Sequence, residues 1–264
     1  MKTVAASSFF AALAFSACAH AGWSITGDVE RFRWVESQPG SPNVTETGPI
    51  FGIGARFAQD LPAGWQFGWR GRLYFGSVDY NGSLLETGAP VNGTTEYKGI
   101  INEGQAVYRL PGNPYGLELV SGLILDYWNR QLSSFQSEQF WIGSLRLGVN
   151  ADRRAPDSWF GGAGVKYPFY AHQNAHFPDI GYDPNPALKP KGQISLYAEA
   201  GYRFRNQWSL TGYYDSYRFK ESDPVTVRVN FAGSAFGPPG TPVDFVQPAT
   251  RVDSFGVRLQ YSFQ

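Results

Sequence analysis

Eleven consecutive residues, Trp65 to Phe75, constrain this chain more than any other stretch. Their odd positions are Trp65, Phe67, Trp69, Gly71, Leu73 and Phe75; their even positions are Gln66, Gly68, Arg70, Arg72 and Tyr74. Successive side chains of an extended strand point to opposite faces, so this stretch is a strand with one apolar and one polar face. Its length suits a tilted strand that crosses a bilayer, about 9–11 residues, and exceeds the ~5–6 of globular strands.

The period recurs along the chain. Phe51, Ile53, Ala55 and Phe57 alternate with Gly52, Gly54 and Arg56. Leu117, Leu119, Leu123 and Leu125 oppose Glu118, Gly122 and Asp126, and Leu145, Leu147 and Val149 oppose Ser144, Arg146 and Gly148. Ile194, Leu196, Ala198, Ala200, Tyr202 and Phe204 oppose Ser195, Tyr197, Glu199, Gly201 and Arg203. The last segment sets Phe255, Val257, Leu259, Tyr261 and Phe263 against Ser254, Gly256, Arg258, Gln260 and Ser262. Weaker segments near 23–35, 95–110, 158–168 and 208–219 bring the number to ten. Connections near 60–64, 111–115, 151–157 and 205–207 are short, whereas those near 37–47, 80–94, 129–138, 169–191 and 222–248 are long. An even strand count with short turns at one end and long loops at the other predicts an all-β, antiparallel up-and-down transmembrane barrel, its short turns periplasmic and its long loops extracellular. Eight or twelve strands remain open alternatives. Thr226 to Phe231 and Val243 to Val246 read as a hairpin above the membrane, because Val243 to Val246 is too short to cross and Pro224, Pro242 and Pro248 flank the pieces.

The N-terminus agrees. Lys2, an apolar stretch from Val4 to Phe15, and Ala19-His20-Ala21 have the order of a secretory signal, which predicts a signal peptide over 1–21 and a barrel domain over 22–264. A lipoprotein signal at Cys18 is the rival, weakened by Phe15 at its first position. Charged residues are 17% of the chain, below the ~25% of soluble domains, and Lys+Arg and Asp+Glu are both 22. The balance leaves no footprint for nucleic acid, and a single Cys excludes a disulfide framework.

Trp23, Trp65, Trp159 and Trp208 each stand at the start of an alternating segment, which predicts an aromatic girdle at the periplasmic interface, joined by Tyr261 and Phe263. Tyr80, Tyr97, Tyr127, Trp128, Trp141, Tyr167 and Tyr214 are candidates for the opposite girdle. With these features in place, the chain resembles bacterial outer-membrane β-barrels as a class. Its closing Tyr261-Ser262-Phe263 resembles the signal such proteins present to the barrel-assembly machinery, although Gln264 makes the aromatic penultimate. The resemblance implies residence in the outer-membrane lipid of a bacterial cell.

If the apolar face meets lipid, the other face lines the lumen. The inward set comprises Asp28, Glu30, Glu103, Glu118, Asp126, Glu199 and Asp215, with Arg56, Arg70, Arg72, Arg146, Lys166, Arg203 and Arg258. Opposite charges confined in a narrow barrel are expected to pair, since an isolated charge there is costly, and so to plug the lumen. A narrow, porin-like diffusion channel is the alternative.

Ten strands is also the number in the omptin proteases, whose chemistry requires an Asp-His pair and an Asp pair at the extracellular rim. Asp79, Asp126 and Asp215 are candidate acids, and His172 and His176 candidate bases, but no Asp-x-His lies on a strand. His172 and His176 also lack the helical context and third ligand of a metal site. No catalytic residue, metal or cofactor is assigned. The long loops then carry the expected function, contact with an external ligand or envelope structure, through Tyr80, Tyr97, Phe169, Tyr170, Phe177, Tyr182, Phe231, Phe236 and Phe245 or through their mutual packing. The expected protein is a non-enzymatic monomer.

Overall fold

A computed structural model of the protein describes residues 21–37, 44–84 and 86–263. The expected signal peptide lies outside these residues except for Ala21, which opens β1. Ten long strands form the barrel: β1 (Ala21–Ser37), β2 (Val44–Asp60), β3 (Trp65–Ser83), β4 (Pro90–Arg109), β5 (Leu117–Gln131), β6 (Ser137–Asp152), β7 (Ser158–Asn174), β10 (Ser195–Arg203), β11 (Trp208–Lys220) and β14 (Ala249–Ser262). Each is antiparallel to its neighbours in the order β1 to β7, β10, β11, β14. β14 returns to pair with β1, from Ser24 opposite Ser262 to Ser37 opposite Ala249, and closes the ring. Closure gives every strand edge a partner, the condition a sheet must meet in hydrocarbon.

Alternation decides the two faces. Ile25, Val29, Phe51, Ile53, Leu73, Phe75, Leu123, Leu125, Leu145, Leu147, Val257 and Leu259 are all exposed on the outside. A continuous apolar surface of this kind is unfit for water and suited to lipid. Trp23, Trp65, Trp159 and Trp208 are likewise exposed at the end that holds the short turns, residues 61–64, 110–116, 153–157 and 204–207, and both ends of the described chain. Tyr261 packs edge-on with Phe263 and also against Trp208, at ring distances of 5.3 and 5.0 Å. That end is periplasmic.

The opposite end departs from expectation. The connections expected to be long at 80–94 and 129–138 are only 84–89 and 132–136, because β3 with β4 and β5 with β6 stay paired to Ser83–Pro90 and Gln131–Ser137. Backbone groups above the bilayer still need partners, and the ladder supplies them. Likewise the first part of the expected loop 169–191 is the end of β7. The remainder holds a short 3₁₀ turn (Phe177–Ile180), β8 (Tyr182–Asp183) and β9 (Lys191–Gly192). Beyond β11, β12 (Val225–Val229) and β13 (Pro242–Phe245) form the hairpin expected above the membrane, and β8 adds a third strand to it. This small sheet caps the barrel around a core of Phe177, Tyr182, Leu188, Val227, Val229 and Phe245.

One irregularity matters for the site. Gly143 pairs with Tyr170 but Ser144 pairs with Pro168, so Phe169 and Tyr170 form a bulge in β7 and both face outward. Pro168 has no N–H to give the ladder, and bulges are where strands accommodate proline. Parity reverses across it: Lys166 faces inward below, Ala171 and Gln173 above.

Candidate functional site

The lumen is built in layers. Nearest the periplasm, Glu118 accepts hydrogen bonds from Arg154 at 2.8 Å and lies 3.5 Å from Arg109, while Arg154 also reaches Asp60 at 2.6 Å. Arg203 binds Asp152 through both nitrogens at 2.9 and 3.0 Å.

In the middle layer Glu103, fully buried, lies between Arg70 and Arg146, the latter at 3.1 Å, and accepts a further bond from Gln105 at 2.5 Å. Arg72 donates to Asp28 and stands 3.2 Å from Glu30, and the Tyr213 hydroxyl lies 3.0 and 2.7 Å from the same two carboxylates. Gly52 is what lets the Asp28–Arg72 pair lie against the wall, since a Cβ there would come within 2.4 Å of the guanidinium and 2.6 Å of the carboxylate. Lys166 binds Asp215 at 2.8 Å and sits 3.4 Å from the centre of the Tyr217 ring. Arg146 lies 3.6 Å over Tyr197, whose hydroxyl would be 1.9 Å from any Cβ at Gly148. Arg258 is 3.8 Å from Glu199.

The structure thus places all fourteen expected charges on the inner wall, and ten of them pair with one another, but Asp126, Arg56, Glu118 and Arg203 do not pair within the set. Asp126 is held by the Tyr74 and Tyr217 hydroxyls at 3.1 and 3.0 Å and takes no ion pair among the described residues. Arg56 also has none, and stands directly opposite Arg70. Glu118 and Arg203 find partners outside the set. The internal cavity at the top of this layer, lined also by Phe32, Ile50, Tyr97 and Trp128, is small, about 90 Å³.

Above the charges lies a layer that sequence reasoning missed. Phe32, Trp34, Ile50, Val78, Tyr97, Trp128, Phe140, Ile142, Tyr217, Phe219 and Val252 are buried inside the barrel as one apolar cluster. Trp34 meets Trp128 and Phe140 at ring distances of 6.2 and 5.5 Å. The candidates for the outer girdle are divided accordingly. Tyr127, Trp141, Tyr167 and Tyr214 face outward, whereas Tyr97 and Trp128 belong to this inner layer and Tyr80 lines the chamber above it. The signal was parity: Phe32 and Trp34 continue the inward positions of Asp28 and Glu30, and Trp128 that of Asp126.

Arg130 seals the top of this layer. Its guanidinium lies 4.8 Å over Trp34 and binds Glu46, Glu36 and Glu138 at 2.8, 3.0 and 2.8 Å. Thr95 and Tyr97 donate to Glu46, and Gln247 to Glu36 at 3.1 Å. Over this floor opens a chamber of about 690 Å³, roofed by Ile180, Phe236, Val243 and Phe245 of the cap and walled by Tyr80, Phe177, Leu188 and Gln173. Gln173 is 1% exposed and its Oε1 has no hydrogen-bond partner among the described residues.

The cap is pinned to the barrel by Glu86, which accepts bonds from the Tyr182 hydroxyl at 2.5 Å, Ser234 at 2.7 Å and the Ala235 amide at 3.0 Å. These three donors hold the Glu86 carboxyl below its ordinary range, the tyrosine contributing most. Burial, reinforced by the carboxylate, pushes the Tyr182 hydroxyl up to about 12. Of the two readings left open for the loop rings, mutual packing describes several of them. Phe177, Tyr182, Phe236 and Phe245 pack against one another, and Phe169 and Tyr170 lie on the outer wall of β7.

The omptin-like candidates are not brought together. The β7 bulge places His172 outside, stacked on Tyr170 and paired with Trp141, and Asp79 is also on the outer face. Asp126 and Asp215 are inside. His176 contacts Asp179 in the loop, at 3.8 Å.

No protein-family model and no curated protein matches the chain. Among solved structures it is similar to the outer membrane protein OprG from Pseudomonas aeruginosa, at 16% identity over 92% of this chain and 96% of that one, TM-score 0.39. It is also similar to the transport unit of the autotransporter AIDA-I from Escherichia coli, at 10% identity over 92% and 90%, TM-score 0.41. The toluene transporter TodX of P. putida is 9% identical over 92% and 89%, TM-score 0.34. Likenesses this distant carry no argument about function. The closed ladder, the apolar outer belt and the interfacial tryptophans of the chain itself identify it as a ten-stranded transmembrane β-barrel of the bacterial outer-membrane class.

Proposed function

We propose that the protein is a non-enzymatic binding barrel, monomeric and assembled through its C-terminal strand, which takes a small ligand into the extracellular chamber and does not conduct solutes. The observation that carries this reading is the stacking of a large capped chamber on a floor of interlocked side chains. About 690 Å³ lies within the range of small-molecule sites, whereas the lumen beneath holds only about 90 Å³. The chamber's chemistry narrows the ligand. Its lining carries Glu36, Glu138 and Asp244 against Arg130 alone, beneath aromatic rings and aliphatic side chains, which favours an organic cation with an apolar body. Unpartnered Gln173 Oε1 is an acceptor suited to an ammonium donor.

Two measurements test this. Planar-bilayer recording of the purified barrel is expected to show no steady single-channel conductance; a large steady conductance would favour the diffusion channel. Calorimetry with 4-phenylbutylamine, 4-phenylbutanol and 4-phenylbutyrate is expected to rank the amine first, with Gln173→Leu weakening it. Failure of all three probes to bind removes the chamber from the function.

A further inference from the structure

The outer wall carries a second feature, on the opposite side of the sheet from the lumen. Arg31 and Arg33 of β1, Arg251 of β14 and Arg218 of β11 project outward from three adjacent strands. Arg218 stands directly opposite Arg251, and Arg33 opposite Asp253. Asp253 is the single carboxylate among them, and it is already occupied by Tyr214, Arg218 and Arg251 at 2.7, 2.7 and 2.6 Å. Among the described residues Arg31 and Arg33 have no carboxylate partner. This face therefore carries four guanidiniums and, among the described residues, one acid, which only Arg218 and Arg251 reach.

The height of the patch identifies what it meets. Arg31 and Arg33 lie eight and ten residues beyond the periplasmic Trp23, and Arg218 ten beyond Trp208. At about 3.3 Å per residue along a strand tilted by ~40°, this is a rise of about 20–25 Å, the thickness of the apolar band of an outer-membrane barrel. The arginines thus emerge at the headgroup level of the outer leaflet. Directly below them is a shallow apolar cleft lined by Val29, Pro49, Phe255 and Val257. Its floor is Gly212, where a Cβ would meet nothing closer than 3.9 Å. The β3–β4 wall is unlike this: its outward charges, Asp79, Glu96 and Lys98, sum to a net acid.

We propose that this face binds a phosphorylated lipid of the outer leaflet, with phosphate on Arg31, Arg33 and Arg251 and an acyl chain in the cleft over Gly212. Guanidinium matches phosphate oxygens in bidentate geometry, and a poorly hydrated interface strengthens that pairing. The inference is independent of what the chamber holds.

Native mass spectrometry of the detergent-purified full barrel tests it, using diphosphoryl lipid A, monophosphoryl lipid A and an uncharged glycolipid of matched chain length. Retention is expected to follow phosphate number. The Arg31→Ser/Arg33→Ser double variant, which leaves the Asp253 cluster intact, is expected to lose about thirtyfold in affinity for the diphosphoryl form. Gly212→Phe, which fills the cleft, should weaken both phosphorylated lipids, while Lys98→Ser should change nothing. Equal retention of the uncharged glycolipid overturns the proposal, as does undiminished binding by a heat-modifiable, correctly folded double variant. Concentration-dependent dimers that vanish in the double variant would overturn it too, by giving the patch to a second copy of the chain.

Discussion

Glu103 lies between two guanidiniums with none of its surface exposed, so the consequence of changing it depends on which partner is left behind. Glu103→Ala leaves Arg70 and Arg146 facing each other in a confined space, and should destabilise the barrel by about 3–5 kcal/mol in denaturant unfolding from liposomes. Arg70→Ala is milder, about 1–3 kcal/mol, because Arg146 and Gln105 still satisfy the carboxylate and Arg70 is itself partly solvated. Equal costs for the two variants would show that the middle layer is wetter than its packing implies. The sequence placed both residues inside from alternation alone. It did not reveal that Glu103 bridges while Arg56 takes no ion pair among the described residues. Which charge meets which across a lumen depends on stagger between strands, and local pattern carries no record of it.

At the scale of the element, the β7 bulge and the cap each make a distinct prediction. Because parity reverses after Pro168, His172→Leu should fold normally, while Ala171→Arg drives an unpaired charge into the aromatic layer and should prevent recovery of a heat-modifiable barrel. Strict alternation from Lys166 would predict the reverse, so the pair of variants tests the bulge directly. The cap depends on Glu86. Its depressed carboxyl means that its stabilising contribution is complete above the ordinary glutamate range near ~4.3 and is lost as pH falls through the lower, folded value. Proteolysis within residues 231–241 should therefore accelerate in strongly acidic buffer. In Glu86→Gln it should be fast at neutral pH as well, with little further pH dependence.

For the whole molecule, the proposed closure of the lumen would rest on the interlocking of Trp34, Trp128 and Phe140 beneath Arg130. Removing two of these rings, Trp34→Ala with Trp128→Ala, should connect the chamber to the cavity below and give measurable bilayer conductance where the parent is expected to have none. A silent double variant would show that the charged layers alone suffice to close the barrel.

The period-two pattern by itself determined that the chain is a transmembrane barrel, which residues meet lipid, where the tryptophan girdle lies, and which charges face inward. Each of these follows from one strand at a time, because a side chain's face depends only on its parity. The pattern also held the inward aromatics Phe32, Trp34 and Trp128, but the contacts of Trp34 with Trp128 and Phe140 require strands β1, β5 and β6 to meet across the lumen. Tertiary structure alone decided that the hairpins extend above the membrane, that His172 is turned outward, and that Arg130 gathers Glu36, Glu46 and Glu138 into one floor. Those outcomes depend on residues far apart in the chain arriving at one height in a closed ring, and register and closure set that height.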